Sequence, residues 1–588
     1  MIQSLKADSF TGVLLMDSIS DSSHISQEFT SVLPGSETSV VHSFPACSLY
    51  LRFTREFLGH NILARSALYS GSIDRSSILH LIKCISKRVP YYDTTVGSYA
   101  MCVIDRSKEQ IVLSRDILGH ESLFYCMTPD LFSFSNNILN ILRCSFTNPS
   151  PDYKFIREYI INQTYGFRTR YKHIRRVLPG EVIIYKMSDH SVERFDSKPD
   201  RSYFMSTGID GVSRIRRELT SAARAARDSM PKHKRLAVQI SGGIDSTSLA
   251  SLLCSLRGES YKDRVVFYSV VYNNAYPSEE PYIRSFERMY NVRVRRILYE
   301  HIRPSVDIYS QRVSRVIFYH PFYVLHHNAI QIIRSCGVDY IATGLGGDKI
   351  TGATFYKRKY HHMLSNIRFS SIIKELIHAY NHRWLASAIY NIFIHGLWPI
   401  LSHYLKPVHR IIYPLRGDKI LRPSVNSYRE TSRCQRSIRD LIWESVTSSN
   451  ETIDSYNGLA HLSDVKMLHP YLSINLLSAF LSARVDRLFT PGEPKHLVKK
   501  SLRNVIPKSL YKRKTKSGYD QIFLDQIFEN RDYLISLCKR PEFGEDYIDH
   551  ASISSFLKKA DKDSSLSMLN RVWDWARVAV WMDRNHWV

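Results

Sequence analysis

Between residues 236 and 343 the chain alternates between short apolar runs and longer stretches with the apolar spacing of helices. The strand-like runs cover residues 236–240, 265–272, 292–298 and 338–343, and the helical stretches cover residues 212–227, 246–256, 282–290 and 330–336. Strands that alternate with helices predict a parallel, doubly wound sheet. In open sheets of this kind, ligands bind where the strands end at their carboxyl side.

The first 200 residues have a different pattern. Strand-like runs at residues 100–104 and 110–114 are joined by a turn, and a further strand at residues 182–185 follows Pro179 and Gly180. Residues 196–203 are polar, contain Pro199 and indicate a linker. The 588-residue chain is therefore predicted to have a β-rich domain over residues 1–205 and an α/β domain over residues 206–588, mostly helical from about residue 356.

The segment SGGIDS, residues 241–246, lies between a predicted strand and a predicted helix. Small residues let the backbone approach an anion, and a helix N-terminus offers unpaired N–H donors. Asp245 fits a bound Mg²⁺, because a bare carboxylate would repel phosphate. A glycine-rich turn that merely begins a helix is the alternative. The combination favours a pyrophosphate-binding loop, and the predicted ATP contacts are Ser241, Gly242, Gly243, Asp245 and Ser246.

A second glycine cluster, ATGLGGDKITG at residues 342–352, follows the fourth predicted strand. Since parallel strands present their carboxyl ends at one edge, both clusters are predicted to face one crevice. Asp348 is a second candidate Mg²⁺ ligand beside Asp245. The further predicted ATP contacts are Thr343, Gly344, Gly346 and Gly347.

A third segment, KRKTKSGYD at residues 512–520, is strongly cationic. From the residues alone, two interpretations stay open. It is either a solvated face or the source of a lysine that stabilises negative charge on the α-phosphate.

Together these segments resemble the synthetase domain of the asparagine synthetase family. GSYAMCVIDRSKEQIVLSRDILGHESLFY (residues 97–125) and VLPGEVIIY (residues 177–185) resemble that family's glutaminase domain, and HPYLS (residues 469–473) resembles its PFLD segment. The resemblance implies an N-terminal sandwich of the Ntn hydrolase type and an ATP pyrophosphatase-type synthetase domain with a helical C-terminal part. It also implies Lys516 as the catalytic lysine, with Lys495 as a second phosphate-contacting candidate.

Three positions depart from the family pattern. Ile2 stands where working glutaminases carry a catalytic Cys, which predicts a degenerate glutaminase-like domain that does not supply ammonia from glutamine. Leu345 stands where asparagine-forming members have the Glu of GEG, and Leu accepts no proton. Ser473 replaces the Asp of PFLD. These changes predict that the site for the incoming amine differs from that of the asparagine-forming members.

GLGGDK and RKTKSGYD look most like the lasso peptide macrolactam synthetases. That resemblance implies an ATP- and Mg²⁺-dependent ligase that adenylates an Asp or Glu side chain of a precursor peptide. The peptide's N-terminal amine then closes a macrolactam. It further implies two protein partners, a leader protease and a leader-recognition protein.

Other functions stay open at this stage. A β-lactam or other small-molecule amide synthetase would use the same chemistry, and a tRNA-modifying enzyme with the same loop would suit the net charge of +25. Against nucleic acid, the loop follows a glutaminase-like domain and the sequence shows no zinc knuckle or recognised RNA module. A non-catalytic binding protein is the remaining alternative, and the intact Asp245, Asp348 and Lys516 argue against it.

Composition and one apolar segment predict the compartment. Nine Cys residues without a CxxC pair, and an N-terminus without a long apolar core, predict a cytoplasmic protein. Residues 384–405 are apolar but contain His395 and Pro399, which predicts a buried helix pair rather than a membrane span and leaves attachment to a membrane surface open. The basic, aromatic stretch from Phe355 to Tyr380 either binds peptide or forms a cationic helix face.

Overall fold

The computed structural model describes most of the chain, and up to residue 79 it describes the backbone alone. The described residues are 2–6, 9–16, 38–44, 47–54, 65–71, 75–88, 90, 97–129, 131–143, 149–162, 166–205, 211–256, 264–272, 278–306, 309, 311–318, 320–365, 369–381, 384–397, 437–448, 451–490, 493–513, 520–540, 544, 547–561 and 566–586.

The N-terminal part is a sandwich of two sheets. Its strands are β1 (Ile2–Lys6), β2 (Ser9–Met16), β3 (Thr38–Phe44), β4 (Cys47–Thr54), β5 (Arg65–Gly71), β6 (Tyr99–Asp105), β7 (Gln110–Arg115), β8 (Phe124–Thr128), β9 (Leu131–Ser135), β10 (Ile174–Arg176), β11 (Glu181–Lys186) and β12 (Val192–Asp196). Within the described residues, one sheet has the order β1-β5-β6-β7-β11-β12 and the other β10-β8-β9-β2-β4-β3. All neighbours pair antiparallel except β1 with β5.

Strands β6, β7, β9 and β11 are buried on both faces, because both faces are covered. Helix α1 (Arg75–Ser86) packs on the outer face of the first sheet, against Met101 and Val103 of β6. The alternate β6 residues pack against the second sheet, and Phe132 of β9 stacks on Tyr185 of β11 with ring centroids 4.0 Å apart. Helices α2 (Ile138–Leu142) and α3 (Tyr153–Asn162) cover the outer face of the second sheet. The predicted β-rich sandwich is confirmed, and helices cover both of its outer faces.

The second part is built on a parallel sheet of β13 (Leu236–Gln239), β14 (Val265–Val271), β15 (Val294–Leu298), β16 (Tyr340–Ala342) and β17 (Lys466–Leu468). Among the described strands the order is β15-β14-β13-β16-β17, and every neighbouring pair is parallel. Leu236 and Val238 face one apolar layer, whereas Ala237 between them faces the other. Helices therefore cover both faces, and the predicted doubly wound sheet is confirmed.

Helices account for most of the remaining described residues. Those up to the second glycine cluster are α4 (Gly211–Asp228), α5 (Ile244–Ser255), α6 (Glu280–Tyr290), α7 (Tyr299–Ile302), α8 (Gln311–Ser314), α9 (Pro321–Arg334) and α10 (Gly347–Ile350). The later ones are α11 (Lys359–Ser365), α12 (Phe369–Asn381), α13 (Leu385–Ile392), α14 (Ile438–Thr447), α15 (Glu451–Leu462), α16 (Ile474–Ser482), α17 (Val485–Leu488), α18 (His496–Ser501), α19 (Lys508–Lys512), α20 (Asp520–Glu529), α21 (Arg531–Leu537), α22 (His550–Lys559) and α23 (Leu566–Arg584).

Helix α4 shows how the sequence pattern becomes packing. Its buried residues Ile215, Leu219 and Ala223 recur every four positions, so one stripe faces the sheet layer and the basic side faces out. The predicted basic amphipathic helix is confirmed.

Helix α23 joins the two parts of the chain. Trp581 donates its indole N–H to the Ser314 carbonyl at 2.9 Å, and its ring contacts Tyr171 edge-on at 5.9 Å. Because Tyr171 belongs to the N-terminal part and Ser314 to the parallel-sheet part, one apolar cluster spans both.

One prediction about residues 384–405 is wrong in part. Helix α13 lies there and pairs with α12, but Ile389, Tyr390 and Phe393 are exposed rather than buried. The reason is that α13 packs on its described neighbours through its other side, where Ala388 is buried. Residues 398–405 lie outside the described part. In the described chain, no helix combines the length and apolar character that crossing a membrane requires.

Candidate active site

The predicted pyrophosphate loop connects β13 to α5. Gly242 has a φ of +60°, a region that favours glycine, and the turn brings the two ends of the loop together. Ser246 Oγ accepts a hydrogen bond from the Ser241 N–H at 3.1 Å and lies 2.8 Å from Ser241 Oγ. The loop is thus closed by its own serines at the N-terminus of a twelve-residue helix, where backbone N–H groups attract anions.

The second glycine cluster lies directly beside this loop because β16 pairs with β13. A Cβ on Gly344 would lie 2.7 Å from the Ser246 backbone nitrogen, and a Cβ on Gly347 would lie 2.8 Å from both carboxylate oxygens of Asp245. Only glycine allows this approach. The two clusters, about 100 residues apart in sequence, therefore form one surface, as the parallel sheet predicts.

Lys495 links the two candidate metal-binding carboxylates. Its Nζ forms ion pairs with Asp245 and, at 2.6 Å, with Asp348 Oδ1. Burial by itself lowers the pKa of Lys495, but the two carboxylates outweigh it and raise the pKa. Lys495 is therefore a charged ammonium held between two carboxylates, one from each glycine-rich motif.

These carboxylates suit Mg²⁺. One ammonium shared by two carboxylates leaves a net negative charge, so the group attracts a further cation. Within the described residues, no three His, Cys, Asp or Glu side chains form a metal site by themselves. Mg²⁺ commonly takes one or two carboxylates and completes its shell with water and substrate phosphates. Asp245 and Asp348 fit that pattern.

Arg513 ties the C-terminal cationic segment to the pyrophosphate loop. Its Nη1 donates to the Gly242 carbonyl at 2.7 Å, and its guanidinium lies 3.5 Å from Glu279 and over the Tyr282 ring at 4.3 Å. A second cation is thus placed at the loop. Sequence reasoning did not single out Arg513, although it lies inside the motif KRKTKSGYD.

A hydrogen-bond chain connects the second glycine cluster to the N-terminal part. Thr343 Oγ1 accepts from the Leu345 N–H at 3.3 Å and lies 3.3 Å from His469 Nδ1. His469 Nε2 lies 3.2 Å from Asn457 Oδ1, and Asn457 Nδ2 donates to the His120 carbonyl at 2.7 Å. Burial, together with the charge of His120, lowers the pKa of His469 to about 3. Neutral His469 therefore donates to Asn457 and accepts from Thr343.

Most of the predicted site residues converge at the edge where β13 and β16 end. Those brought together are Ser241, Gly242, Gly243, Asp245, Ser246, Thr343, Gly344, Gly346, Gly347, Asp348 and Lys495. Lys516 lies outside the described residues and stays a prediction. Besides Arg513, two residues of the neighbourhood were missed: His469, and Tyr471, whose pKa is raised well above its ordinary value by burial and then by the charge of Asp245. HPYLS was the signal for both.

The chain combines a glutaminase-like sandwich with a parallel sheet of the kind that binds nucleotides. Together they have the architecture of an amidotransferase joined to a synthetase. Comparison with known families agrees. The asparagine synthase family matches residues 217–583, more than half of the chain, and the glutamine amidotransferase domain matches residues 58–196. The chain belongs to the asparagine synthase family.

Individual relatives are distant. Amidase chyE of Penicillium rubens is 24% identical over 171 residues, which cover 28% of this chain and 24% of that protein. The chain thus spans about a quarter of the length of this curated relative. Two solved structures are similar to part of the chain. They are glutamine phosphoribosylpyrophosphate amidotransferase from B. subtilis complexed with ADP and GMP (10% identity, 57% of this chain, 81% of that chain, TM-score 0.21) and an allosteric regulatory enzyme of purine biosynthesis (11%, 57%, 80%, 0.21).

Proposed function

We propose that this protein is an ATP-dependent amide ligase that adenylates a side-chain carboxylate of a precursor peptide and closes a macrolactam with the peptide's N-terminal amine. The ligase activity in this proposal rests on one observation. Asp245 and Asp348, which follow two neighbouring parallel strands, share the ammonium of Lys495 beside a glycine-lined loop.

The charge of each residue in the site indicates its proposed role. The N–H groups and hydroxyls of the loop at Ser241 and Ser246 bind the pyrophosphate end of ATP. Lys495 and Arg513 stabilise negative charge there. Asp245 and Asp348 would hold Mg²⁺, which neutralises phosphate charge when bound.

The proposed reaction has two steps. The peptide carboxylate attacks the α-phosphorus, the bond to pyrophosphate breaks, and an acyl adenylate forms. The amine then attacks the acyl carbon, loses a proton, and AMP leaves. Lys516 is proposed to stabilise the negative charge of both steps, by analogy with the family's catalytic lysine.

Leu345 supports an attacking amine other than ammonia. Its side chain is apolar, partly buried and packed against the core layer of the sheet, where it accepts no proton. A peptide α-amine has a pKa of about 7.7–8.0, so an appreciable fraction is already neutral near neutral pH. A precursor peptide, a leader protease and a leader-recognition protein are the partners that this function requires.

The test is ATP–pyrophosphate exchange in the presence of candidate core peptides that carry an acidic residue several positions after the N-terminus. Exchange that depends on peptide supports the proposal. Exchange stimulated only by small carboxylic acids supports the small-molecule amide synthetase, and exchange stimulated by tRNA but by no peptide contradicts the peptide assignment.

Two variants test the residue roles. Asp245→Ala is expected to abolish exchange, whereas Asp228→Ala at the exposed end of α4 is the control that leaves it unchanged. Lys516→Ala is expected to abolish the cyclic product. Full product formation by Lys516→Ala would show that this lysine is not required.

A further inference from the structure

Apolar side chains are exposed on two neighbouring helices that follow the second glycine cluster in the chain. Ile373, Ile377 and Tyr380 lie along α12, and Ile389, Tyr390 and Phe393 lie on α13 and the turn that follows it. We define these six residues as the apolar patch. Tyr380 is 71% exposed and Ile377 56%. Clusters of exposed apolar side chains mark interaction sites, whereas single exposed apolar residues need no explanation.

The charge along this stretch of the sequence is one-sided. From residue 353 to residue 417 the sequence has nine Lys or Arg residues and a single acidic residue, Glu375. Glu375 is fully buried, and its carboxylate oxygens lie 2.7 and 2.8 Å from Lys359 Nζ. Among the described residues of this stretch, Lys357 and Lys374 are exposed, whereas the one carboxylate is buried. Lys374 is adjacent to Ile373 on α12.

Exposed apolar side chains with exposed cations nearby in the sequence match one class of partner. We propose that the apolar patch docks on an anionic lipid surface, with α12 and α13 lying in the headgroup region. Helices that lie in this region combine an apolar face with Lys and Arg beside it, and they carry aromatic residues such as Tyr380 and Tyr390 at the polar boundary.

Length makes this attachment interfacial rather than spanning. The thirteen residues of α12 rise about 20 Å, short of the roughly 30 Å hydrocarbon core of a bilayer. Burial of six side chains to a shallow depth adds apolar stabilisation, and each nearby Lys or Arg adds attraction to anionic headgroups. Neither contribution depends on ATP, so this proposal does not rest on the proposed ligase activity.

The experiment is co-sedimentation of the full chain with two kinds of vesicle, one of phosphatidylcholine alone and one containing phosphatidylglycerol. Binding is expected to the anionic vesicles, to weaken at high ionic strength, and to be weak or absent on the neutral ones. Absence of binding to the anionic vesicles overturns the proposal. A finding that the apolar patch binds another protein and no vesicle would overturn it too.

Two pairs of variants locate the surface. Ile389→Ser/Tyr390→Ser is expected to weaken vesicle binding about tenfold or more, because two exposed apolar groups leave the interface. Tyr153→Ser/Met289→Ser removes similar exposed side chains elsewhere and is expected to leave binding unchanged. Lys374→Glu is expected to weaken binding to anionic vesicles more than Arg224→Glu, which makes the same charge change on α4. Equal effects within either pair contradict the patch.

The patch variant also separates the two proposals. Ile389→Ser/Tyr390→Ser is expected to retain ATP–pyrophosphate exchange in solution while losing vesicle binding. Loss of both, in a variant whose unfolding transition matches that of the native chain, would contradict a separate membrane-docking surface.

Discussion

Arg115 and Asp454 form a buried ion pair that joins the glutaminase-like part to the synthetase part. Arg115 Nη2 lies 2.7 Å from Asp454 Oδ1, and the side chains are 0% and 5% exposed. Arg115 also donates to the carbonyls of Val177 and Gly119, and Ser122 donates to the same Asp454 oxygen. The sandwich is therefore anchored to helix α15 by charges that water does not reach.

Asp454→Ala is expected to destabilise the protein by about 3–5 kcal/mol, because it leaves the Arg115 guanidinium buried without its counter-charge. The measurement is the free energy of unfolding from chemical denaturation. Asp228→Ala removes a carboxylate that is 54% exposed and paired with Arg227, and it is expected to cost less than about 1 kcal/mol. Similar losses in the two variants would mean that the buried pair contributes little to joining the parts.

Lys495→Met is expected to reduce ATP–pyrophosphate exchange by about 10²- to 10³-fold, since it removes the preorganised cation between Asp245 and Asp348. The neighbouring Lys500 is exposed, and Lys500→Met is expected to retain activity. The unfolding transition of Lys495→Met is measured alongside, so that loss of activity is separated from loss of fold. An active Lys495→Met would contradict a role for this ammonium at the phosphates.

Gly347→Ala is expected to reduce exchange by about 10²-fold. The added Cβ would overlap the Asp245 carboxylate and push it away from the position in which it acts. Gly211→Ala is the matched control. The nearest atom to a Cβ there is 4.0 Å away, at the start of α4, so it is expected to preserve activity. Unchanged exchange in Gly347→Ala would show that the close approach of the two motifs is not needed.

His469 is expected to make stability depend on pH. Burial, aided by the charge of His120 and opposed by Asp116, lowers its pKa to about 3 from an ordinary value near 6.5. Between these values the unfolded chain binds a proton that the folded chain does not bind. The contribution of His469 is therefore complete above about pH 6.5 and is lost as the pH falls towards 3, a change of a few kcal/mol at most, at about 1.4 kcal/mol per pKa unit.

His469→Gln cannot titrate in this range. Its free energy of unfolding, measured from neutral to acid pH, is expected to fall less steeply than that of the native protein. Identical slopes would mean that carboxylates, and not His469, set the acid sensitivity.

Local pattern was enough to predict the fold of the synthetase part. Apolar runs of strand length separated by amphipathic helices specify a parallel sheet, and strand-to-helix junctions place SGGIDS and GLGGDK at its carboxyl edge. The predicted helices and strands match the observed ones to within a few residues at most ends, for example β14 and α6. By contrast, burial over α13 was predicted wrongly, because an apolar stretch does not show whether another element covers it.

The site was predicted only in part for a similar reason. Gly242 and Asp245 lie in one short motif, so their chemistry is visible locally. Arg513 and His469 act on the same loops from more than 100 residues away, and only the folded chain shows that Arg513 holds the Gly242 carbonyl and that His469 holds Thr343.

The sequence by itself determined the class of fold, the two glycine-rich loops and the carboxylates within them, because each depends on short-range spacing along one or two elements. Only the tertiary structure decided that Lys495 lies between Asp245 and Asp348 and that the buried pair of Arg115 and Asp454 joins the two parts. The physical reason is that ion pairs are set by distances in space of a few ångströms, and these depend on how distant elements pack rather than on their order in the chain.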